Sequence, residues 1–241
     1  MDFSTNLRKE EGFTLVELAV VMIIIGILIG GILKGQEMIT NARVTSTISQ
    51  MEAINAAYQD FYNQYNAKPG DMDDADTRLS ACDGAGGAVV CADGGGDGII
   101  TLAPGAAMAG EGINFFLHLL AAGYITGMDG LAANTNFGEG LPTAAIGGGF
   151  GVGEKTPAQA AVGFTNANMR SGVWLTHTGN AAAAQAVDLG VFIPEQASRV
   201  DTKLDDGVPD RGGLQTTAGA CINGNAYAGT IVNTCPIAYR L

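Results

Sequence analysis

An α+β fold is what this sequence predicts: one long N-terminal α-helix, apolar in its first half and amphipathic in its second, packed on an antiparallel β-sheet head with Gly-rich loops. Three observations carry the prediction. Residues 18–33 hold no charge and are dominated by Ile, Val, Leu and Met, and they lead into apolar residues stepping three and four apart. Short strand-like runs between Gly and Asn turns fill the C-terminal third. Four cysteines form two local pairs, Cys82 with Cys91 and Cys221 with Cys235, at spacings that fit two short disulfide loops and an oxidising compartment.

The N-terminal run poses a problem of charge. A bilayer core takes about 20 apolar residues as a helix, and the segment starting at Phe13 supplies them only if Glu17 is counted in. An acidic group at the centre of a membrane helix costs roughly 2.5–3.5 kcal/mol, less toward an end, so its presence asks for a partner. A secretory signal peptide has a shorter apolar core and a small-x-small cleavage site. Here the run is longer, and "KGQEMITNARVTSTISQ" after it keeps a helical pattern. An ordinary signal anchor explains Arg8 and Lys9 on the cytoplasmic side but leaves Glu17 unexplained.

"RKEEGFTLVELAVVMIIIGIL" resembles the class III leader of type IV pilins and pseudopilins. The resemblance covers about the first fifty residues and is most specific at "GFTLVEL". It implies cleavage by a prepilin peptidase after Gly12, methylation of the new amine on Phe13, and an assembly role for Glu17, the fifth residue of the mature chain. Cleavage would place a cationic amine one helical turn from Glu17, where an anion also suits the helix dipole and the unpaired N–H groups. In an apolar filament core, carboxylate and ammonium of neighbouring subunits would neutralise each other. Losing one partner of such a buried pair costs about 3–5 kcal/mol, so the pair sets register.

From Gln36 the helix is expected to continue, with Val44, Ile48, Met51, Ile54, Tyr58, Phe61 and Tyr65 forming one apolar stripe. Asn63 and Asn66 weaken it and Pro69–Gly70 stop it. A helix over 13–66 is about 80 Å long at 1.5 Å per residue. Gly26, Gly30 and Gly31 in its apolar half permit close helix approach or mark a place where the helix can melt. The expected organisation is a leader at 1–12, a transmembrane or filament-core half at 13–35, an amphipathic half at 36–68 and an extracytoplasmic head at 69–241.

In the head, "GEGINFFLHLLAAGYITG" reads as a short helix with Ile113, Phe115, Phe116, Leu119 and Leu120 on its apolar face and Gly123 near its end. His118 on it reads as a packed or surface histidine rather than a ligand. "IGGGFGVGEK" fits neither phosphate-loop pattern and reads as a hairpin or surface loop. Strands are expected at "SGVWLTH", "AVDLGVFIP", "ACINGNAYAG" and "CPIAYRL". The pilin resemblance implies a disulfide securing the C-terminal region, and Cys221 and Cys235 sit in the matching place.

Two acidic stretches bear on metal binding. "ADGGGDGII" puts Asp93, Asp97 and Gly98 at calcium-loop positions, but Gly95 replaces one ligand and Pro104 stands where the bidentate Glu belongs, so an acidic turn is expected. "VDTKLDDGVPDRGG" gathers Asp201, Asp205, Asp206 and Asp210 around a Gly-Pro turn. By family resemblance such loops bind Ca2+ in some secretion pseudopilins; alternatively Lys203 and Arg211 neutralise the cluster without a metal.

No G-x-S-x-G, no H-E-x-x-H and only two histidines argue against an enzyme. A formal net charge of −12, with 12 Lys+Arg against 24 Asp+Glu, argues against a nucleic-acid partner. The resemblance implies a structural subunit of a type IV pilus-like filament, with a type II secretion pseudopilin as the alternative and a membrane-anchored periplasmic binding protein below it. Its implied partners are copies of itself and other pilins, the prepilin peptidase/methyltransferase, the inner-membrane assembly machinery and, before assembly, membrane lipid. No cofactor is expected apart from the candidate calcium. The implied location is the bacterial inner membrane as a single span, head outside the cytoplasm, and then a periplasmic or extracellular filament.

Overall fold

The computed structural model describes residues 12, 14–82, 89–131, 136–164, 168–182, 190–216, 221–229 and 235–241. Two compact units divide the chain, Met1–Ala42 and Arg43–Leu241. The longest element is helix α1 (Leu15–Tyr65), followed by α2 (Ala75–Arg78), α3 (Glu111–Ala121), β1 (Gly149–Lys155), β2 (Gly172–Thr178), α4 (Pro194–Leu204), β3 (Leu214–Thr216), β4 (Ile222–Asn223), β5 (Ala226–Tyr227) and β6 (Ile237–Arg240).

Among the described residues of the first unit, the large hydrophobics are bare: all those from Leu15 to Ile39 are exposed, Ile27 at 71%. This is a helix long and apolar enough to cross a membrane. Gly26, Gly30 and Gly31 stand in open space.

The second unit has a conventional core. On its part of α1, Val44, Thr47, Ile48, Met51, Ile54, Ala57, Tyr58 and Phe61 are buried, the stripe that three-and-four spacing predicts. The helix stops because Asn66 takes a left-handed conformation, φ 54°, while its N–H still bonds the Tyr62 carbonyl at 2.8 Å; asparagine tolerates this closing position better than most residues. Phe115 of α3 stacks on Tyr58 with ring centroids 5.9 Å apart. Helix α3 is enclosed on all sides rather than on one face, with Gly112 through Leu119 buried.

The four-stranded antiparallel sheet runs in the order β1-β2-β6-β3. Its register puts Phe150, Val152, Leu175, Ile237 and Leu214 on the face shared with α1 and α3 in one core. Trp174 and Ala238 point the other way, into a smaller cluster with Ala161, Phe164 and Met169. Trp174 donates its indole N–H to the Arg170 carbonyl at 2.9 Å.

Three expectations change here. "GFGVGEK" is strand β1, not a hairpin or surface loop, and it is buried over six of its seven residues. Its alternate glycines make room for neighbouring chain: a Cβ at Gly153 would lie 2.5 Å from the Pro104 nitrogen, which a side-chain-bearing residue does not tolerate. "AVDLGVFIP" is not a strand over its described residues; residues 186–189 lie outside them, Phe192 makes one isolated bridge to Cys235, and Pro194 opens α4. Proline at the first helical turn is a start signal. The stretch holding Asp201 is therefore helical, with the turn beginning only at Asp205. "ACINGNAYAG" forms the β4–β5 hairpin around Gly224–Asn225.

Candidate functional site

At the N-terminal end, Gly12 is exposed, and Phe13 and residues 1–11 lie outside the described residues. Thr14 and Glu17 form a reciprocal cap. The Thr14 N–H and hydroxyl both donate to Glu17 Oε2 at 2.9 Å, and the Glu17 N–H donates to Thr14 Oγ1 at 3.2 Å. Two of the helix's orphan donors are thereby satisfied. Glu17 thus has a partner inside its own chain, which the charge argument alone did not supply. The signal was present in the sequence as T-x-x-E before an apolar run.

In the head, an oxygen from each of Asp201, Asp205 and Asp206 lies within 4.8 Å of the other two. Asp201 comes from the last turn of α4 and is fully buried; Asp205 and Asp206 follow it on the exposed turn. One oxygen of each carboxylate is held by a protein donor. Asp201 Oδ2 accepts the Tyr227 hydroxyl at 2.9 Å. Asp205 Oδ2 accepts the Gly213 and Leu214 N–H groups, and Asp206 Oδ1 accepts the Val208 N–H at 2.9 Å. The chain at Gly212, φ 89°, passes so close to Asp205 Oδ2 that no side chain fits there. Asp201 Oδ1 is buried and has no hydrogen-bond partner. Burial is the main cause that pushes the Asp201 carboxyl up to about 6; Asp206 and Asp205 add to it, and Tyr227 and the nearby Gly207 N–H oppose it.

Asp210 stands apart from this trio. Its Oδ2 accepts the Asn168 amide at 3.3 Å and its Oδ1 lies 3.7 Å from Arg211 Nε. Arg211 therefore serves Asp210, and no ion pair joins Lys203 to the trio among the described residues. Three grouped carboxylates, without an ion pair among the described residues, suit a hard divalent cation, which takes oxygen ligands and fills its remaining positions with water or carbonyls.

The other acidic stretch is organised differently. Asp97 Oδ1 accepts the Ile99 N–H and Asp93 Oδ1 accepts the Asp76 N–H. The loop turns its own N–H groups inward: Asp97 and Gly98 donate to buried Asp71, and Gly95 and Thr101 to Glu111. Such donors repel a cation. Lys68 completes the arrangement, bonding Glu154 Oε1 and Oε2 at 2.6 and 2.8 Å and the Gly98 carbonyl at 2.6 Å. No local pattern announces Lys68–Glu154, whose members lie 86 residues apart. His118 is a packed histidine: Nδ1 accepts the Gly70 N–H at 2.9 Å, so Nε2 carries the proton toward the Ala92 carbonyl at 3.0 Å. Both disulfides, Cys82–Cys91 and Cys221–Cys235, are formed, with Cα atoms 5.5 and 5.4 Å apart.

The chain thus carries a capped helix whose described large hydrophobics from Leu15 to Ile39 are bare, long and apolar enough to cross a membrane, and an α+β head. Residues 7–33 match the family model described as the prokaryotic N-terminal methylation motif, the class III prepilin leader, and this supports the type IV pilin and pseudopilin family. The leader implies processing by a prepilin peptidase and pilin assembly. No curated protein and no solved structure matches the chain.

Proposed function

We propose that this protein is a structural subunit of a type IV pilus-like filament, cut after Gly12 and polymerised through its N-terminal helix. The observation that supports the reading most is the apolar half of α1, whose large hydrophobics are exposed among the described residues. Lipid covers it before assembly and the helices of other subunits afterwards. After cleavage, the Phe13 amine becomes the neighbour of the Thr14–Glu17 cap, and Glu17 exchanges or shares its local donors for an ammonium from an adjoining subunit. The Glu17→Ala variant, expressed in the native host, tests this: the processed protein should stay in the membrane and the sheared surface fraction should fall at least about tenfold, in line with loss of one member of a buried pair. Wild-type amounts of sheared filament would contradict the proposal.

The Asp201–Asp205–Asp206 trio favours a second reading within the same architecture, a calcium-binding secretion pseudopilin. Asp201 Oδ1, buried and without a partner, is the specific observation behind it. Calcium titrated into the full-length protein in detergent should release or absorb heat with the wild type and not with Asp206→Asn.

A further inference from the structure

The cation site and the C-terminal hairpin meet at one side chain. Tyr227 lies on β5, inside the chain segment closed by the Cys221–Cys235 disulfide, and its hydroxyl donates to Asp201 Oδ2. Asp201 is thus shared: Oδ2 belongs to the hairpin, Oδ1 is buried without a hydrogen-bond partner, and the carboxylate is grouped with those of Asp205 and Asp206. The hairpin is small. It is two residues per strand, its residues Asn223 to Ala226 are exposed, and its ladder pairs only Ile222 with Tyr227 and Asn223 with Ala226. An isolated hairpin of that size is not stable in water. Among the described residues, what fixes it is the disulfide, the Ala228 N–H on the Cys221 carbonyl, the packing of Ile222 and Tyr227 against the core, and the Tyr227 hydroxyl on Asp201 of α4.

We propose that Tyr227 is a positioning residue for a divalent-cation site at Asp201, Asp205 and Asp206, and that through it cation binding fixes how the β4–β5 hairpin is presented on the head. The proposal rests on the cation reading given above. The physical link runs in both directions. A cation held by the three carboxylates fixes the Asp201 carboxylate in place, and with it the Oδ2 acceptor to which the Tyr227 hydroxyl donates. In return, Tyr227 restrains the Asp201 carboxylate plane; outer hydrogen bonds of this kind are typically worth 10–100-fold in metal affinity. The hairpin is the surface affected, because it carries no buried core residue of its own beyond Cys221.

The test uses the full-length protein in detergent micelles with calcium chloride as the probe, reading heat of binding and amide exchange at residues 221–229 in parallel, for wild type, Tyr227→Phe and Asp206→Asn. With calcium at about ten times its Kd, exchange at 221–229 should slow about tenfold in the wild type. Tyr227→Phe keeps the ring and removes only the hydroxyl; it should bind calcium at least about tenfold more weakly and, when saturated, show no slowing at the hairpin. Asp206→Asn should lose both binding and slowing while keeping the metal-free exchange rates. Equal affinity and equal slowing in wild type and Tyr227→Phe would overturn the coupling and leave the cation reading standing. No heat and no slowing in the wild type would overturn the cation reading and the coupling with it.

Discussion

The two stretches of α1 are built from the same kinds of apolar residue and meet opposite fates. From Val16 to Ile39 every large hydrophobic is exposed, whereas Val44, Ile48, Met51, Ile54 and Phe61 are buried. The difference lies in what surrounds each residue in sequence. Over residues 18–33 of the first stretch apolar groups cover the whole circumference, so no face is left for water; in the second, Glu52, Gln59, Asp60 and Asn63 lie outside the stripe. A helix apolar all round has no stable place in water and must be covered by lipid or by other helices. The stripe, by contrast, needs only the head of its own chain.

That contrast can be broken by truncation. Phe61→Ala removes a fully buried ring from the head core and should lower unfolding free energy by about 3–5 kcal/mol. Ile27→Ala, at a site 71% exposed, should leave head stability within about 0.5 kcal/mol and act on membrane retention or assembly instead. Chemical denaturation monitored on Trp174, which lies in the head, separates the two. Equal losses at both sites would show that residues near Ile27 share the head's core.

A second effect of similar or smaller size concerns polar groups that replace apolar ones in the head. Glu154 is buried against Lys68 and also accepts the Ile100 N–H at 2.9 Å. Replacing it with Gln leaves the Lys68 ammonium without its counter-charge. The expected loss is about 3 kcal/mol, as for other pairs shielded from water, with the double variant Lys68→Met/Glu154→Gln less affected than the sum of the single ones. Additive losses would assign the cost to packing rather than to the pair.

The smallest effect is on the pH profile. His177 packs against Phe150 and Phe192 with the Gly147 carbonyl as its polar partner among the described residues, and burial pushes its imidazole down to about 4. Burial lowers His118 as well, although Asp93 and Glu111 pull it back. In both cases the unfolded chain takes up a proton near 6.5 before the folded chain does, so their contribution to stability is present above that value and is lost as pH falls below it, for His177 toward about 4. Asp71 and Asp201, raised chiefly by burial, run the other way and lose stability as pH rises. The acid-side fall in Tm therefore belongs to the histidines, and His177→Phe should flatten it. An unchanged acid slope in that variant would remove His177 from the account.

What was legible in the sequence follows the range of the forces involved. The stripe on α1, the strand around Trp174, the strand at Ile237 and helix α3 each show their periodicity within a dozen residues. Strand β1 was hidden because glycine reads as a turn when only neighbours in sequence are considered; Gly153 answers to Ala103 and Pro104, some fifty residues away, Gly151 to Met108 and Thr176, and Gly149 to Phe137 and Pro142. Helix α4 was hidden because its acidic and polar residues look like a loop until Pro194 is read as a start. At the candidate sites, the Thr14–Glu17 cap was readable from spacing alone. The separation of Asp210 from the other three aspartates was not, since it depends on Asn168 and on the helical placement of Asp201. Tyr227 joins Asp201 from 26 residues away, beyond any local pattern.

The central claim is that the chain is a precursor whose working form begins after Gly12. Intact-mass and N-terminal peptide analysis of the protein isolated from its native host tests that claim most directly. The account predicts a mature chain that starts at Phe13 and carries one added methyl on its amine. A chain still starting at Met1 would leave Glu17 with Thr14 as its only partner, and the filament reading would give way to that of a membrane-anchored binding protein.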